Sequence, residues 1–213
     1  MEPSREQGAT VTDATPEKAA ASEKAPATES ILGAVQLRHV PGFQAAMLTT
    51  RGAYGDLAAP FQRLKSWAEQ VGVLPMGNVV GIFYGQPLST PADICRLSLC
   101  MPISSPDAEV ARGAIAAGAR RVTEKPDAAA PSAPAEGDVV EVREFPRHLA
   151  VVGFYRGPVA GSAAAYEHVT AWVRERPYLP SGAPREVYLA EPGQLGADVM
   201  EVEVHQPVVP RGR

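Results

Sequence analysis

The sequence predicts an α+β fold. Two copies of a strand–helix–strand–strand module would form one antiparallel sheet, with the helices on one face and pseudo-twofold symmetry between the modules. Three observations carry this prediction. The second half of the chain repeats the first at a constant offset, each half contains short runs of alternating apolar residues, and each half has one amphipathic stretch at helical spacing.

The internal repeat is the strongest of these signals. A shift of 105 positions, which carries Trp67 onto Trp172, aligns the two halves without a gap over about seventy residues. Other identical pairs are Pro41 and Pro146, Arg51-Gly52 and Arg156-Gly157, Ala58-Ala59 and Ala163-Ala164, and Leu74-Pro75 and Leu179-Pro180. Chance similarity would not keep so many Gly, Pro and Trp residues in register, so we infer a duplication.

The two halves contain the same elements in the same order. Strands are predicted at 35–40, 43–50, 79–84 and 94–101 in the first half, and at 139–145, 149–155, 185–189 and 199–205 in the second. Helical spacing marks Leu57, Phe61, Leu64 and Ala68, and then Tyr166, Val169 and Val173. Turn residues at 75–77 and 180–182 close both helices.

Two segments without aromatic residues are predicted to lie outside the modules. Residues 1–33 form a predicted disordered tail, because they bury too little apolar surface to offset a backbone entropy of about 1–2 kcal/mol per residue. Residues 104–138 are predicted to link module 1 (34–103) to module 2 (139–209). A small helix at 108–121 would precede the Pro/Ala-rich part of this linker.

Charge and composition narrow the class of function. The net charge of -4 argues against broad binding to nucleic-acid phosphates, and no apolar run approaches the roughly 18 residues of a membrane-spanning helix. Polar residues follow Met1, so no secretory signal is expected, and two cysteines fit a reducing compartment. We therefore expect a cytoplasmic protein that contacts neither nucleic acid nor membrane directly.

Alternation within the strands predicts which side chains face away from the helices. In 185–189, Val187 and Leu189 are expected beneath the helix, which leaves Glu186 and Tyr188 on the open face. The residues expected to share that open face are Gly81, Phe83, Arg96, Ser98, Cys100, Glu201, Glu203 and His205.

The repeat makes Glu186 the sharpest asymmetry between the halves. Its counterpart in the first half is Gly81, so a carboxylate in one copy corresponds to bare backbone in the other. This difference suggests room for a ligand where the copies meet. A buried carboxylate with aromatic walls would suit a planar cation, through Coulomb attraction and cation–π contact.

Several stretches resemble the GyrI-like small-molecule-binding domain, the effector-binding module of bacterial AraC- and MerR-type regulators. They are RGAYGDLAAPFQRLKSWAEQVGVLPMG, YRGPVAGSAAAYEHVTAWVRERPYLPSG, the run Glu186-Val187-Tyr188, and Pro192. The resemblance covers about 35–209 and implies tandem modules with a cleft between them. Members bind hydrophobic, often cationic or polyaromatic compounds in this cleft. The acid of the family's E-x-Y motif corresponds to Glu186, with Tyr188 beside it.

The leading prediction is a stand-alone ligand-binding protein without a cofactor or metal. Its candidate ligand-binding residues are Glu186, Tyr188, Phe83, Tyr155 and Trp172. The resemblance also implies an alternative, a hydrolase that opens strained cyclopropane rings with Glu186 activating water. A third hypothesis is a protein-interaction role such as inhibition of DNA gyrase. Residues 1–33 are too short and polar for a helix-turn-helix, so a regulatory role would need a separate DNA-binding chain.

Overall fold

The computed structural model describes residues 29–52, 54, 56–85, 95–120, 138–196 and 198–212. Its strands are β1 (Ile31–Leu32), β2 (Gln36–Val40), β3 (Phe43–Arg51), β4 (Val80–Phe83), β5 (Arg96–Ile103), β6 (Val139–Phe145), β7 (His148–Pro158), β8 (Tyr178–Pro180), β9 (Arg185–Tyr188) and β10 (Val199–Pro210). Its helices are α1 (Ala58–Val71), α2 (Ser105–Ala116) and α3 (Ala163–Arg174), and a 3-10 turn at Val159–Gly161 precedes α3.

The predicted α+β class is confirmed. Every predicted strand is present, as are both module helices, and most of the strand ends agree to within three residues. The main addition is β8, which lies where the sequence predicted only a turn. This strand forms because β10 runs five residues past His205, so that its last residues pair with Tyr178–Pro180.

The segments predicted to lie outside the modules are partly built into the fold. Ile31 pairs with Arg156 in β7, so the folded part of the chain begins before the predicted end of the tail at residue 33. Residues 1–28 lie outside the described residues. Within the predicted linker, α2 starts three residues earlier than expected. Its start signals are the Ser104 side chain, which accepts a hydrogen bond from the Asp107 N–H, and a proline in the first turn. Residues 121–137 lie outside the described residues.

All strand pairs are antiparallel, and the sheet curves back on itself. The strand order is β1-β7-β10-β9-β4-β5-β3-β6, with β4 and β9 joining the two halves at the centre. The β2–β3 run also pairs with the β6–β7 run in one continuous register, from Gln36 with Val152 to Thr49 with Val139. The path from β3 through β5, β4, β9 and β10 therefore returns to β7, the partner of β2.

The main core lies between the helices and one face of the sheet, which we call the helix face. Helix α1 buries Phe61, Leu64 and Trp67, and α3 buries Ala165, Val169 and Val173. Helix α2 adds Ala108 and Ala111. Gly72 ends α1 in the left-handed region, at φ 74°, where its N–H bonds to the carbonyls of Ala68 and Glu69.

The opposite side of the sheet, which we call the concave face, carries a smaller apolar cluster of Ala45, Met47, Val80, Ile82 and Cys100. Curvature brings distant strands together over this face. The Arg185 guanidinium in β9 lies 5.4 Å from the ring centroid of Phe145 in β6, four strands away in the sheet order. A flat sheet would separate these strands by roughly 19 Å.

The predicted faces of β4 and β9 are wrong. Tyr188 pairs with Val202 and Glu186 with Val204, so Glu186 and Tyr188 lie on the helix face among the core residues of β10. Gly81 and Phe83 lie there too, while Val187 joins the concave face. The prediction placed Glu186 and Tyr188 on the open face because their side chains are polar. An alternation of apolar residues cannot show that a carboxylate is buried with hydrogen-bond donors around it. For β5 and β10 the predicted faces agree with the structure.

Truncation of the helix core tests this packing. Leu64 in α1 is 1% exposed, so we expect Leu64→Ala to lower the free energy of unfolding by about 2–5 kcal/mol in urea titrations. The matched control is Leu74→Ala, because Leu74 is 72% exposed. Equal losses in the two variants would contradict the proposed packing of α1.

Candidate functional site

Glu186 is a carboxylate that lies at the centre of the molecule with no exposure to solvent. It sits on β9 where this strand pairs with β4, directly opposite Gly81. Transfer of an ionised carboxylate from water to such a place costs several kcal/mol unless other groups stabilise the charge. The surroundings of Glu186 must therefore supply that stabilisation.

Three tyrosine hydroxyls donate to this one carboxylate. Tyr166 Oη lies 2.6 Å from Oε1, and Tyr188 Oη lies 2.6 Å from Oε2. Tyr54 Oη also donates to Oε1 and contacts Ser162 Oγ at 3.1 Å. We call Tyr54, Ser162, Tyr166, Glu186 and Tyr188 the tyrosine–glutamate cluster. Tyr54 comes from the segment between β3 and α1, and the other members come from the second half.

Burial dominates the electrostatics of the cluster. It raises the pKa of Glu186, while the hydrogen bonds from Tyr166, Tyr188 and Tyr54 each act to lower it. Burial, followed by the nearby charge of Glu186, raises the pKa of each of these three tyrosines well above its ordinary value. The hydroxyls therefore stay protonated at neutral pH and remain donors.

The first half supplies space and apolar walls. A Cβ on Gly81 would lie 3.0 Å from Tyr188 Cε2 and 3.2 Å from its hydroxyl, so glycine lets this ring lie across the sheet. Phe61 meets Tyr188 edge to face at 5.1 Å between ring centroids, and Phe83 lies 5.1 Å from the Tyr54 ring. The carboxylate is thus surrounded by aromatic rings from both halves.

A small cavity lies beside the cluster. Its volume is about 30 Å³, and its lining includes Tyr54, Leu57, Tyr188, Pro192 and Met200. Such a volume holds one or two waters, whereas pockets for drug-sized ligands occupy about 300–1,000 Å³. An organic ligand would therefore reach Glu186 only if the side chains over the carboxylate move.

The structure brings three of the five predicted site residues together: Glu186, Tyr188 and Phe83. The other two, Tyr155 and Trp172, contact other groups. The Tyr155 hydroxyl donates to the Pro158 carbonyl at 2.6 Å. The Trp172 ring lies 6.0 Å from that of Tyr178 and 4.1 Å from the Arg176 guanidinium.

Sequence reasoning missed Tyr54 as a site residue and assigned Tyr166 only to the helix core. The repeat held a usable signal for Tyr166. Aligned by 105 positions, Phe61 corresponds to Tyr166 and Phe83 to Tyr188, so the second half gains hydroxyls beside the position that gains a carboxylate. Tyr54 corresponds to Val159, and only the tertiary structure shows that its hydroxyl reaches Glu186.

The chain belongs to the GyrI-like family. The family model described as the GyrI-like small molecule binding domain matches residues 34–208, which is most of the sequence. The expected resemblance is therefore confirmed. Among curated proteins, none matches this sequence closely enough to count as a relative.

Solved structures share the fold at low sequence identity. The EcmrR C-terminal domain superposes with a TM-score of 0.55 at 14% identity, over 83% of this chain and 98% of that one. A hydrolase from Listeria innocua superposes with a TM-score of 0.55 at 12% identity, over 82% of this chain and 91% of that one. EcmrR in its complex with DNA superposes with a TM-score of 0.56 at 14% identity. The match covers 83% of this chain but only 57% of the EcmrR chain. These likenesses concern the fold.

Other kinds of site are not seen in the part of the chain that the structure describes. No group of three or more His, Cys, Asp or Glu side chains there is placed to hold a metal ion. None of the helices described is both long and apolar enough to cross a membrane.

The space at Gly81 gives a first test of the site. We expect Gly81→Ala to push Tyr188 off the carboxylate and to lower the free energy of unfolding by about 1–3 kcal/mol. Gly113→Ala is the control, because its added Cβ meets nothing within 4 Å and lies in a helix, where alanine is favoured. If thermal denaturation shows equal effects for the two variants, the contact between Gly81 and Tyr188 is not as described.

The buried carboxylate gives a second test, through pH. The pKa of Glu186 is raised in the folded protein, so its contribution to stability is greatest below its ordinary value of 4.5 and falls as pH rises through the folded pKa. Relative to Glu186→Gln, the wild type should lose up to about 1.4 kcal/mol per pH unit across this window in urea titrations. Titration of His148 and His205 occurs in both proteins and cancels in the difference. A difference that rises with pH would contradict the raised pKa.

Proposed function

We propose that this protein binds an amphipathic organic cation in the cleft between its two halves, with Glu186 supplying the complementary charge. The observation that carries the proposal is the lack of a cationic partner for this carboxylate. Glu186 is fully buried, yet within the described residues its partners are the neutral tyrosine hydroxyls, and no ion pair involves it. A ligand cation would provide the missing charge.

The aromatic side chains around Glu186 favour the same class of ligand. Phe83 packs against the ring of Tyr54 and Phe61 against the ring of Tyr188, and both tyrosines donate to the carboxylate. Ring faces attract cations, and this attraction reaches about 2 kcal/mol or more in desolvated sites. A cation attached to an apolar body would gain both charge neutralisation and burial here.

Access to the carboxylate requires an opening step. Tyr54 is the only member of the cluster that comes from the first half, and it lies on the segment between β3 and α1 rather than within either element. Withdrawal of Tyr54 would remove one of the two hydroxyls that donate to Oε1 of Glu186 and would enlarge the adjacent cavity. The binding free energy must therefore include the loss of this hydrogen bond, as expected for a site occupied by its own side chains before the ligand enters.

The proposed ligand site also fits a cytoplasmic effector-binding protein. It assigns no DNA contact to the domain itself. A transcription regulator, or gyrase as in the interaction hypothesis, would be a separate protein partner. Co-purification with either partner, tested with and without the ligand, separates these roles from simple capture of the ligand.

Hydrolysis is a second candidate, supported by the chemistry of the same carboxylate. Glu186 has a raised pKa, lies beside three phenol donors and adjoins a cavity that is large enough for water. Such a group is suited to general acid–base chemistry on an electrophilic ring. Product that accumulates beyond one equivalent per protein supports this candidate, and stoichiometric binding without product removes it.

Two matched ions test the binding proposal. Tetraphenylphosphonium and tetraphenylborate share a shape but carry opposite charges, so we expect the cation to bind the wild type more tightly in calorimetric titrations. Glu186→Gln should weaken cation binding by about tenfold or more. Glu167→Gln, at an exposed position of α3, should leave it unchanged. Equal binding of the two ions, or full binding by Glu186→Gln, would refute the proposed site.

A further inference from the structure

A second charged group lies half-buried on the opposite side of the same strand. Arg185 precedes Glu186 in β9, so its side chain lies on the concave face. It is half-buried, with its guanidinium over the Phe145 ring and 3.4 Å from His148 Nε2. Among the described residues, no carboxylate lies within 4 Å of it. Burial lowers the pKa of Arg185, while Cys100 and Tyr84 act to raise it.

Three exposed arginines of the concave face pair with carboxylates instead. Arg38 pairs with Glu203 at 2.8 Å, Arg143 with Glu141 at 3.0 Å, and Arg156 with Glu201 at 3.2 Å. Arg185 is more buried than these three, yet among the described residues it contacts the Phe145 ring and the His148 imidazole and pairs with no carboxylate. The burial of His148, with a contribution from the charge of Arg185, lowers the pKa of this imidazole and favours its neutral form.

Further donors converge on the same place. Burial raises the pKa of the Cys100 thiol to about 12, while the charges of Arg185 and Arg143 act to lower it. In the sheet order, β5 with Cys100 lies two strands from β9 with Arg185 and two strands from β6 with Arg143. The half-exposed Tyr84 lies nearby, and its hydroxyl accepts a hydrogen bond from Ser98 Oγ at 3.3 Å. The hydroxyl hydrogen of Tyr84 is thus available to an added acceptor.

The floor between these donors is apolar. Val80, Cys100 and Val187 belong to the small cluster of the concave face, and the stacked rings of Phe43 and Phe145, with centroids 4.8 Å apart, close one side. A half-buried guanidinium without a carboxylate partner, beside an apolar cluster, favours a monoanion with an apolar body. A highly charged polyanion would leave most of its charge against apolar groups.

We propose that the concave face is a second ligand site, and that it binds a small aromatic carboxylate. The carboxylate would lie in the fork of Arg185, with Arg143 and Tyr84 as further donors. The aromatic body would lie against the partly exposed side chains of Phe43, Phe145 and Val187 at the border of the small apolar cluster. This site is separate from the tyrosine–glutamate cluster, because Arg185 and Glu186 extend to opposite faces of the sheet. It does not depend on the function proposed for that cluster.

The test uses 1-naphthoate, with the neutral 1-naphthamide as its matched probe. Calorimetric titration of the full chain should show binding of the carboxylate and not of the amide. Arg185→Gln should weaken binding by about tenfold to a hundredfold. Arg156→Gln is the control, since this half-exposed arginine of the concave face already pairs with Glu201, and it should leave binding unchanged. Failure of 1-naphthoate to bind at millimolar concentration would overturn the proposal.

Two further variants keep the test decisive if Arg185→Gln does not fold. Arg143→Gln and Tyr84→Phe alter exposed or half-exposed side chains and should each weaken binding by about twofold to tenfold. Unchanged binding in both would refute the site.

Glu186→Gln distinguishes the two faces. It should leave 1-naphthoate binding intact even if it abolishes binding of the organic cation. Loss of 1-naphthoate binding in this variant would show that the probe enters the tyrosine–glutamate cluster, which overturns the second site. Arg185-dependent binding of a glutamate-rich peptide without binding of 1-naphthoate would instead identify a protein-docking surface, and would also overturn it.

Discussion

Glu186 loses its hydration on folding, and the arrangement of the centre of the molecule follows from that loss. Three hydroxyls must reach one carboxylate, so α3, β9 and the segment before α1 are held at fixed distances from each other. The glycine at position 81 leaves the space that one of these rings needs. Hydrophobic packing around the cluster excludes water and strengthens each of these hydrogen bonds. The site and the core are therefore one structure rather than a pocket added to a finished fold.

The curvature of the sheet creates the other chemical environment. The β2–β3 run pairs with the β6–β7 run. The central strands β5, β4, β9 and β10 therefore lie between β3 and β7, and both of these strands belong to the same pair of long runs. The helix face buries its apolar residues under α1, α2 and α3, whereas the concave face buries its own by bending. One short strand, β9, can therefore present a carboxylate to one environment and a guanidinium to the other.

The sequence alone predicts the elements well and the site in part. Alternation and helical spacing locate the strands and module helices, because these patterns reflect a local period. The faces of β4 and β9 were assigned wrongly, since Glu186 is buried through hydroxyls that come from distant positions such as Tyr54 and Tyr166. The start of α2 was misplaced although its serine cap and proline were visible in the sequence. Long-range hydrogen bonding was the information that the sequence patterns lacked.

The register of β4 with β9 has a consequence for the origin of such a chain. Gly81 and Glu186 are direct partners across this pair and occupy the same position in the repeat. In a dimer of identical subunits, this position in one subunit would face the same position in the other. A glutamate there would place two buried carboxylates side by side. A single chain whose halves differ in sequence is not under this constraint. It can hold one buried negative charge at the centre of the β4–β9 pair.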